Sequence, residues 1–425
     1  MSFWKDKSVL ITGGTGTLGT ALVKFLLRET QARRIIIFSR DELKQSEMRE
    51  YFADNRLRFF IGDVRDQDRL RLALCEVDVV IHAAALKQIQ TAEYSPFESI
   101  QTNVIGSMNV IKAAIACGVS HVMAISSDKA VRPWTTYGVT KAAMEKLVIS
   151  SAAYVGAGNT KMACCRYGNV FGSRGSVVGI FTKQLREGKQ LTVTNPQATR
   201  FWITIEQAVR FVTSSIEMMQ GGEIFVPKMR SSTIESLVHA LKVRNYTQIG
   251  FRGVEKMHEE LITDAESVFT DEQIDRYIIR TERNSCAQKP FAVTSKTAES
   301  LSVQSLQAML VSLNKDLVKL FWAHVKIDQN GCWEWTAARY GRGYGGLTLN
   351  KSKFLAHRFS YEINVGPIPE GMLVCHKCDN PPCVRPDHLF IGTHTDNVRD
   401  MLAKGRGNFK ENGKYTRKAR KDGTL

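Results

Sequence analysis

Over the first 280 residues, short runs of apolar positions alternate with stretches in which apolar residues recur every three or four positions. The runs include SVLIT, RIIIFS, LRFFIGD, VDVVIHAAA, HVMAISS and KMACCRYGN, and between them lie segments such as LGTALVKFLLRET and NVIGSMNVIKAAIACG. Near-continuous apolar strands separated by amphipathic helices predict a parallel sheet covered on both faces, a doubly wound α/β domain. The pattern breaks near residue 282. RNSCAQKPFAVTSKTAESLS is polar and aperiodic and precedes a predicted helix, SVQSLQAMLVSL. We therefore divide the chain into residues 1–281, a linker with a short helix over 282–315, and a second domain over 316–425, where glycines and aromatics predict a twisted hairpin.

The length of 425 residues agrees with two or three domains, and the 43% apolar content is ordinary for chains with a proper core. No apolar run reaches the ~20 residues of a membrane span, and the N-terminus lacks a leader pattern, so a cytoplasmic protein without membrane contact is expected. The net charge of +16 is unevenly spread: residues 316–425 carry 18 Lys and Arg against 11 Asp and Glu. That quarter is about twice as basic per residue as the rest and suits a polyanion such as DNA.

Candidate chemistry falls into two groups. Gly13, Gly16 and Gly19 lie between the first predicted strand and helix, where a tight turn lets backbone approach a dinucleotide pyrophosphate. Arg40, at the end of the second strand with Lys44 nearby, favours a 2′-phosphate and hence NADP over NAD. Tyr137 and Lys141 share one helix face in the spacing YxxxK; the ammonium would lower the phenol pKa so that tyrosinate can accept a hydroxyl proton.

In the last quarter, His376, Cys378, Cys383 and His388 crowd together and Cys332 lies upstream. Cys332, Cys378, Cys383 and His388 form a plausible tetrahedral zinc set. His376 is left over as a group able to polarise water, and Asn397 offers an oxygen to a hard cation such as Mg²⁺. A base, a divalent ion and an arginine suit phosphodiester hydrolysis.

HAAALKQ, SSDKAV, YGVTK, RYGNVFGSRGSV, TRFWIT and EKMHEE, from residue 8 to about 265, resemble the extended short-chain dehydrogenase/reductases, and within them the inverting UDP-N-acetylglucosamine 4,6-dehydratases of polysaccharide biosynthesis. The resemblance implies a Rossmann core with a substrate lobe, a nucleotide-sugar substrate and a homo-oligomer. It implies that Tyr137 takes the O4 proton, Lys129 the C5 proton, and that Asp128 protonates the leaving C6 hydroxyl. Asp63 and Val64 would meet adenine; Lys87, Asn103 and Asn169 would line the site; Arg200 and Arg252 would meet the diphosphate or uridine. Two departures stand out: Gly253 occupies a position where the family usually has proline, and HALKVRNYTQI is shortened.

CWEWTA, GYG, AHRFSYE, VCHKCDNPPCVRPDHL, GTHTDN and KGR resemble phage-type HNH and His-Cys box endonucleases over about 320–408. That resemblance implies a zinc-stapled ββα-metal domain, His376 as general base, Asn397 as ligand of the catalytic metal, Arg358 as phosphate clamp, and Cys332, Cys378, Cys383 and His388 around structural zinc. His357 belongs to the AHR motif, and Cys375 is expected as a buried thiol. Arg339, Arg342, Lys351, Lys353 and the cations from Lys404 to Lys421 would add contacts to DNA phosphates. The motifs together imply a fusion of two enzymes made by a mobile element or phage. The alternatives are that only the nuclease is active, or that the zinc domain merely binds DNA; filled catalytic positions favour two activities.

Overall fold

The structure, a computed structural model, describes residues 3–155, 159–251, 253, 255–281, 289–313, 318, 321–341, 343–349, 352–365, 368–369, 371–405, 409–411 and 414–416. The chain forms two compact units, Met1–Ser300 and Leu301–Leu425.

The first unit is built on a nine-stranded sheet. Strands β1 (Ser8–Thr12), β2 (Arg34–Ser39), β3 (Leu57–Ile61), β4 (Val79–His82), β5 (His121–Ile125) and β6 (Lys161–Cys165) match the predicted apolar runs. The order is β3-β2-β1-β4-β5-β6, continued by Ile224–Pro227, all parallel, and closed by two antiparallel strands, Arg276–Ile279 and Thr270–Glu272. The strand order reverses between β1 and β4, where doubly wound sheets open a crevice for ligands. Val9, Leu10, Ile11, Ile35, Ile37, Val79, Val80 and Ile81 are buried, as expected for strands covered on both faces.

A smaller sheet of Asn169–Val170, Thr199–Ile203 and Arg230–Thr233 forms a lobe beside the carboxyl ends of the parallel strands. The expected linker divides differently from the sequence reading. Val293–Thr294 pairs with Glu260–Ile262, and Ser300 bridges to Ser231, so chain beyond 281 completes the first unit. The helix Val303–Ser312 belongs to the second unit, where Ala308 and Val311 join the core. Hydrophobic closure, rather than the change in polarity near 282, sets the boundary.

The second unit has a small core around Phe321, Trp335, Leu347, Phe359 and Val384. The expected hairpin is present as Tyr344–Leu349 against Ser352–Leu355. After the helix Ala356–Asn364 come two antiparallel strands, Leu373–His376 and Leu389–Gly392, and the helix His394–Ala403, a ββα arrangement. Among the described residues, no helix is long and apolar enough to cross a membrane.

Candidate functional sites

In the first unit, a cavity of about 760 Å³ runs from the glycine turn, past the ends of β4 and β5, to the lobe. Gly13 has φ +65°, and a Cβ there would sit 2.9 Å from the Ala84 backbone. Gly19 opposes Gly14 so closely that a Cβ would meet its Cα at 2.5 Å. These contacts hold the first turn of α1 (Thr17–Glu29) against the sheet, and Gly13, Gly16 and Gly19 all line the cavity. The switch point is pinned by His82, whose ring bonds Thr12 Oγ1 at 2.7 Å and Ser107 Oγ at 2.9 Å. Burial and the Lys141 charge lower the His82 pKa to about 3, so the ring is neutral.

At the end of β2, Ser39, Arg40, Asp41 and Lys44 line the same cavity. Arg40 lies 3.3 Å from Asp63 Oδ2, while Asp63 also accepts from the Arg65 guanidinium. Asp41 caps the helix Glu42–Phe52 and pairs with Lys44. Val64 is buried against Gly106 and also lines the cavity.

The helix Thr136–Ser150 is capped by Thr135 and brings Tyr137 and Lys141 to the cavity wall. Lys141 Nζ donates to the Ile125 carbonyl at 2.7 Å, and burial lowers its pKa to about 8. Burial pushes the Tyr137 pKa up, while the Lys129 charge and a hydrogen bond with Ser127 pull it back.

Asp128 is fully buried. Its Oδ1 accepts from Ser127 Oγ at 2.9 Å and Lys129 Nζ at 3.0 Å, and its Oδ2 has no hydrogen-bond partner. Burial raises the Asp128 pKa, the Lys129 charge opposes this, and the Glu259 charge adds to the rise. Lys129 also donates to Asn169 Oδ1 at 3.2 Å and lies 3.5 Å from Glu259 Oε1. Burial works against its charge, but Asp128 and Glu259 outweigh burial and hold the ammonium above the ordinary lysine range.

Lys87 lines the cavity and donates to Ser173 Oγ at 3.3 Å; burial, then Lys129 and Arg174, lower its pKa. Arg200 reaches the cavity while donating to the Thr199 carbonyl at 2.8 Å. Asn103 does not line the cavity as expected. It lies in the π-helical turn Gln101–Ile105, its Oδ1 accepting from Leu86 N and its Nδ2 donating to Leu86 O and Thr140 Oγ1. It braces the segment before Lys87 instead. Arg252 lies outside the described residues. Gly253 has φ +67°, which proline cannot adopt, so its departure from the expected proline is a change of backbone course. Glu259, inside the quoted EKMHEE segment, was not singled out from sequence.

In the second unit, the ligand atoms of Cys332, Cys378, Cys383 and His388 all lie within 4.8 Å of one another. The grouping has local causes. Asp379 turns the loop at φ +59°, Val384 N donates to Trp333 O at 2.8 Å, and Asn380 Nδ2 donates to Glu334 at 2.8 Å, docking that loop beside Cys332. Three thiols and an imidazole this close can hold a metal, and the donor chemistry fits tetrahedral zinc.

His376 ends its strand outside that cluster and is buried. Its Nε2 faces the Cys383 carbonyl at 2.9 Å; a carbonyl only accepts, so Nε2 carries a proton. The His376 ring lies 4.8 Å from that of His357, which itself stacks at 5.1 Å on Tyr344. Burial, with the His376 and Arg358 charges, lowers the His357 pKa to about 3, and its Nδ1 is buried without a hydrogen-bond partner.

Arg358 Nη1 is 3.4 Å from the Met372 carbonyl. The buried Cys375 thiol donates to Asn397 Oδ1 at 3.4 Å, which uses one of that oxygen's two acceptor positions. Lys404 is engaged by Asp400 and the His376 carbonyl. Arg339 is exposed and Lys353 ends a residue pair in the hairpin, whereas Arg342, Lys351 and the tail cations beyond residue 405 lie outside the described side chains.

Residues 9–282 match the family described as polysaccharide biosynthesis protein, and residues 354–399 match HNH endonuclease. The chain belongs to the polysaccharide biosynthesis protein family. It carries an HNH endonuclease domain at its C-terminal end. It is 48% identical over 278 residues to an inverting UDP-N-acetylglucosamine 4,6-dehydratase of Campylobacter jejuni, covering 65% of this chain and 83% of the relative. It is 39% identical over 329 residues to a UDP-glucose 4-epimerase of Rickettsia massiliae, covering 73% of this chain and 96% of the relative. Among solved structures, Pen from Bacillus thuringiensis has a TM-score of 0.69 at 37% identity, covering 74% of this chain and 99% of that one. DesIV, a dTDP-glucose 4,6-dehydratase from Streptomyces venezuelae with NAD bound, has a TM-score of 0.55 at 22% identity over 59% of this chain and 86% of its own, a likeness of fold alone.

Proposed function

We propose that the first unit is an NADP-dependent UDP-N-acetylglucosamine 4,6-dehydratase and the second a metal-dependent DNA endonuclease, fused in one chain. The observation that carries the first reading is that Lys129 and Tyr137 line one cavity that begins at the glycine turn, with the buried Asp128 paired to Lys129 at 3.0 Å behind that wall. The nicotinamide cofactor would supply a hydride acceptor at C4 and return the hydride at C6. Gly13, Gly16 and Gly19 would face its pyrophosphate, Asp63 and Val64 its adenine, and Arg40 and Lys44 a 2′-phosphate. Tyr137 takes the O4 proton, Lys129 removes the C5 proton made acidic by the new ketone, and Asp128, whose pKa burial raises, protonates the leaving C6 hydroxyl. Arg200 and Arg252 would hold the diphosphate or uridine, and Lys87 and Asn169 would orient the sugar. A 4-epimerase has no elimination to perform and less use for the Asp128–Lys129 pair. Incubation with UDP-N-acetylglucosamine should give a 4-keto-6-deoxy sugar without added cofactor, and none with Lys129→Ala.

In the second unit, the buried His376 ring, held by the Cys383 carbonyl beside the Cys and His cluster, carries the reading. It would take a proton from water attacking a phosphodiester while Arg358 clamps the phosphate. Asn397 would bind a divalent ion such as Mg²⁺, which supplies charge stabilisation at the leaving oxygen, and Cys332, Cys378, Cys383 and His388 would hold structural zinc. Plasmid cleavage lost in His376→Ala with DNA binding retained tests this reading. A zinc module that only binds DNA would have no cleavage to lose.

A further inference from the structure

The chain from Glu255 to Asp264 straps the catalytic turn at four points. Lys256 Nζ donates to the Val131 carbonyl at 2.7 Å. Arg132, held at φ +41°, pairs with Glu260 at 3.4 Å and Asp264 at 2.6 Å. Glu259 approaches Lys129 at 3.5 Å and is itself buried. A buried carboxylate is expensive unless a cation compensates it, and here the partly buried Lys129 does so. Glu259 Oε1 has Lys129 and, at 4.0 Å, Arg200; its Oε2 has no hydrogen-bond partner. Glu259 does not line the cavity, whereas Lys129 does. The carboxylate is therefore placed to act on the reacting groups through Lys129 rather than on a substrate.

We propose that Glu259 is a positioning residue for the elimination step: the second counter-ion of Lys129, which sets the charge of that lysine and leaves Asp128 as the carboxyl that carries a proton. This inference rests on the dehydratase reading above. Glu259 ionises first because Lys129, Arg200 and Lys256 face it and outweigh its burial. Its negative charge then discourages ionisation of Asp128. One carboxyl becomes a fixed anion and the other an acid, a division that environment alone produces. The other groups facing Lys129 are Ser127, Tyr137 and Asn169 from the first half of the site, with Lys87, Arg200 and Lys256 as like charges.

The sign of the effect is fixed. Removing the Glu259 charge lowers the Lys129 pKa, because an anionic neighbour is lost, and lowers the Asp128 pKa, because a like charge is lost. Elimination needs neutral Lys129 and protonated Asp128, so both limbs of the rate profile move to lower pH in Glu259→Gln. Glu259→Asp keeps the charge and should keep the position of both limbs, whatever its height. Lys129 is also followed without turnover, by NMR of the full chain carrying ¹³C-labelled lysine, its signal assigned through Lys129→Ala. The expected result is an ammonium that stays charged beyond pH 9 in the parent, and a midpoint lower by roughly 1 to 3 units in Glu259→Gln. A parent Lys129 that titrates below pH 9, an unmoved midpoint in Glu259→Gln, or a rate that falls at every pH with both limbs in place would overturn the proposal. A shifted Lys129 midpoint in a chain that makes no keto sugar would uphold the counter-ion and sink the dehydratase reading instead.

Discussion

His376 Nε2 donates to the carbonyl oxygen of Cys383, so a candidate general base is oriented by the backbone of a candidate metal ligand. The strength of the base and the integrity of the thiolate cluster are thereby tied together. Cys378→Ser, which leaves the Cys383 carbonyl in place but removes one thiol, should abolish the zinc binding proposed for the second unit, measured by elemental analysis. It should also abolish DNA cleavage through loss of the loop that orients His376. Full zinc content in that variant would remove the cluster from the account.

Arg166 lies wholly inside the first unit and makes a bidentate pair with Glu145 at 2.9 and 2.7 Å, with Glu266 completing the network. Glu145 is on the same helix as Tyr137, so the pair fixes the catalytic helix to β6 and its extension. Arg166→Met leaves two carboxylates facing an apolar group and should destabilise the unit by about 3–5 kcal/mol, measured by denaturant unfolding. A loss below about 1 kcal/mol would place the pair among dispensable contacts.

The depressed pKa of His82, about 3 in the folded chain, makes stability depend on acid. The unfolded imidazole binds a proton near pH 6.5, so between those values the unfolded state holds more protons than the folded one. Stability from this group is full above about pH 6.5 and falls as pH drops toward 3. His82→Gln should flatten that part of the stability profile relative to the parent, read from unfolding midpoints at successive pH values. Parallel profiles would show that His82 is not buried as a neutral ring.

Arg40 stands at the cavity edge, pairs with Asp63 and is half-exposed. Arg40→Ser should weaken NADP binding about tenfold or more while changing NAD binding little, because a charge-assisted contact to the 2′-phosphate is lost. Titration of both cofactors by calorimetry decides this; equal losses would show that Arg40 does not read the 2′-phosphate.

Local spacing explains what was legible in the sequence. The glycine turn, the Tyr137–Lys141 pair and the Cys378–Cys383–His388 spacing each sit within about ten residues, so strand, helix or loop geometry alone brings them together. Even Cys332 was within reach: with Cys375 expected as a buried thiol, it is the remaining thiol of that quarter. Glu259 was not: it meets Lys129 across 130 residues of sequence, through a return of the chain that no periodicity announces. Asn103 was placed on the cavity wall, but its side chain bonds to Leu86 and Thr140, partners distant in sequence that no local pattern announces. Polarity near 282 suggested a linker, but pairing of Val293–Thr294 with Glu260–Ile262 depends on tertiary partners and left no local mark.

The most direct test of the dehydratase account is to give the full chain UDP-N-acetylglucosamine carrying deuterium at C4 and locate the label in the product by NMR. Oxidation at C4, elimination across C5 and C6, and hydride return predict a 4-keto-6-deoxy sugar with deuterium at C6. Deuterium retained at C4 of an intact or epimerised sugar would contradict the account.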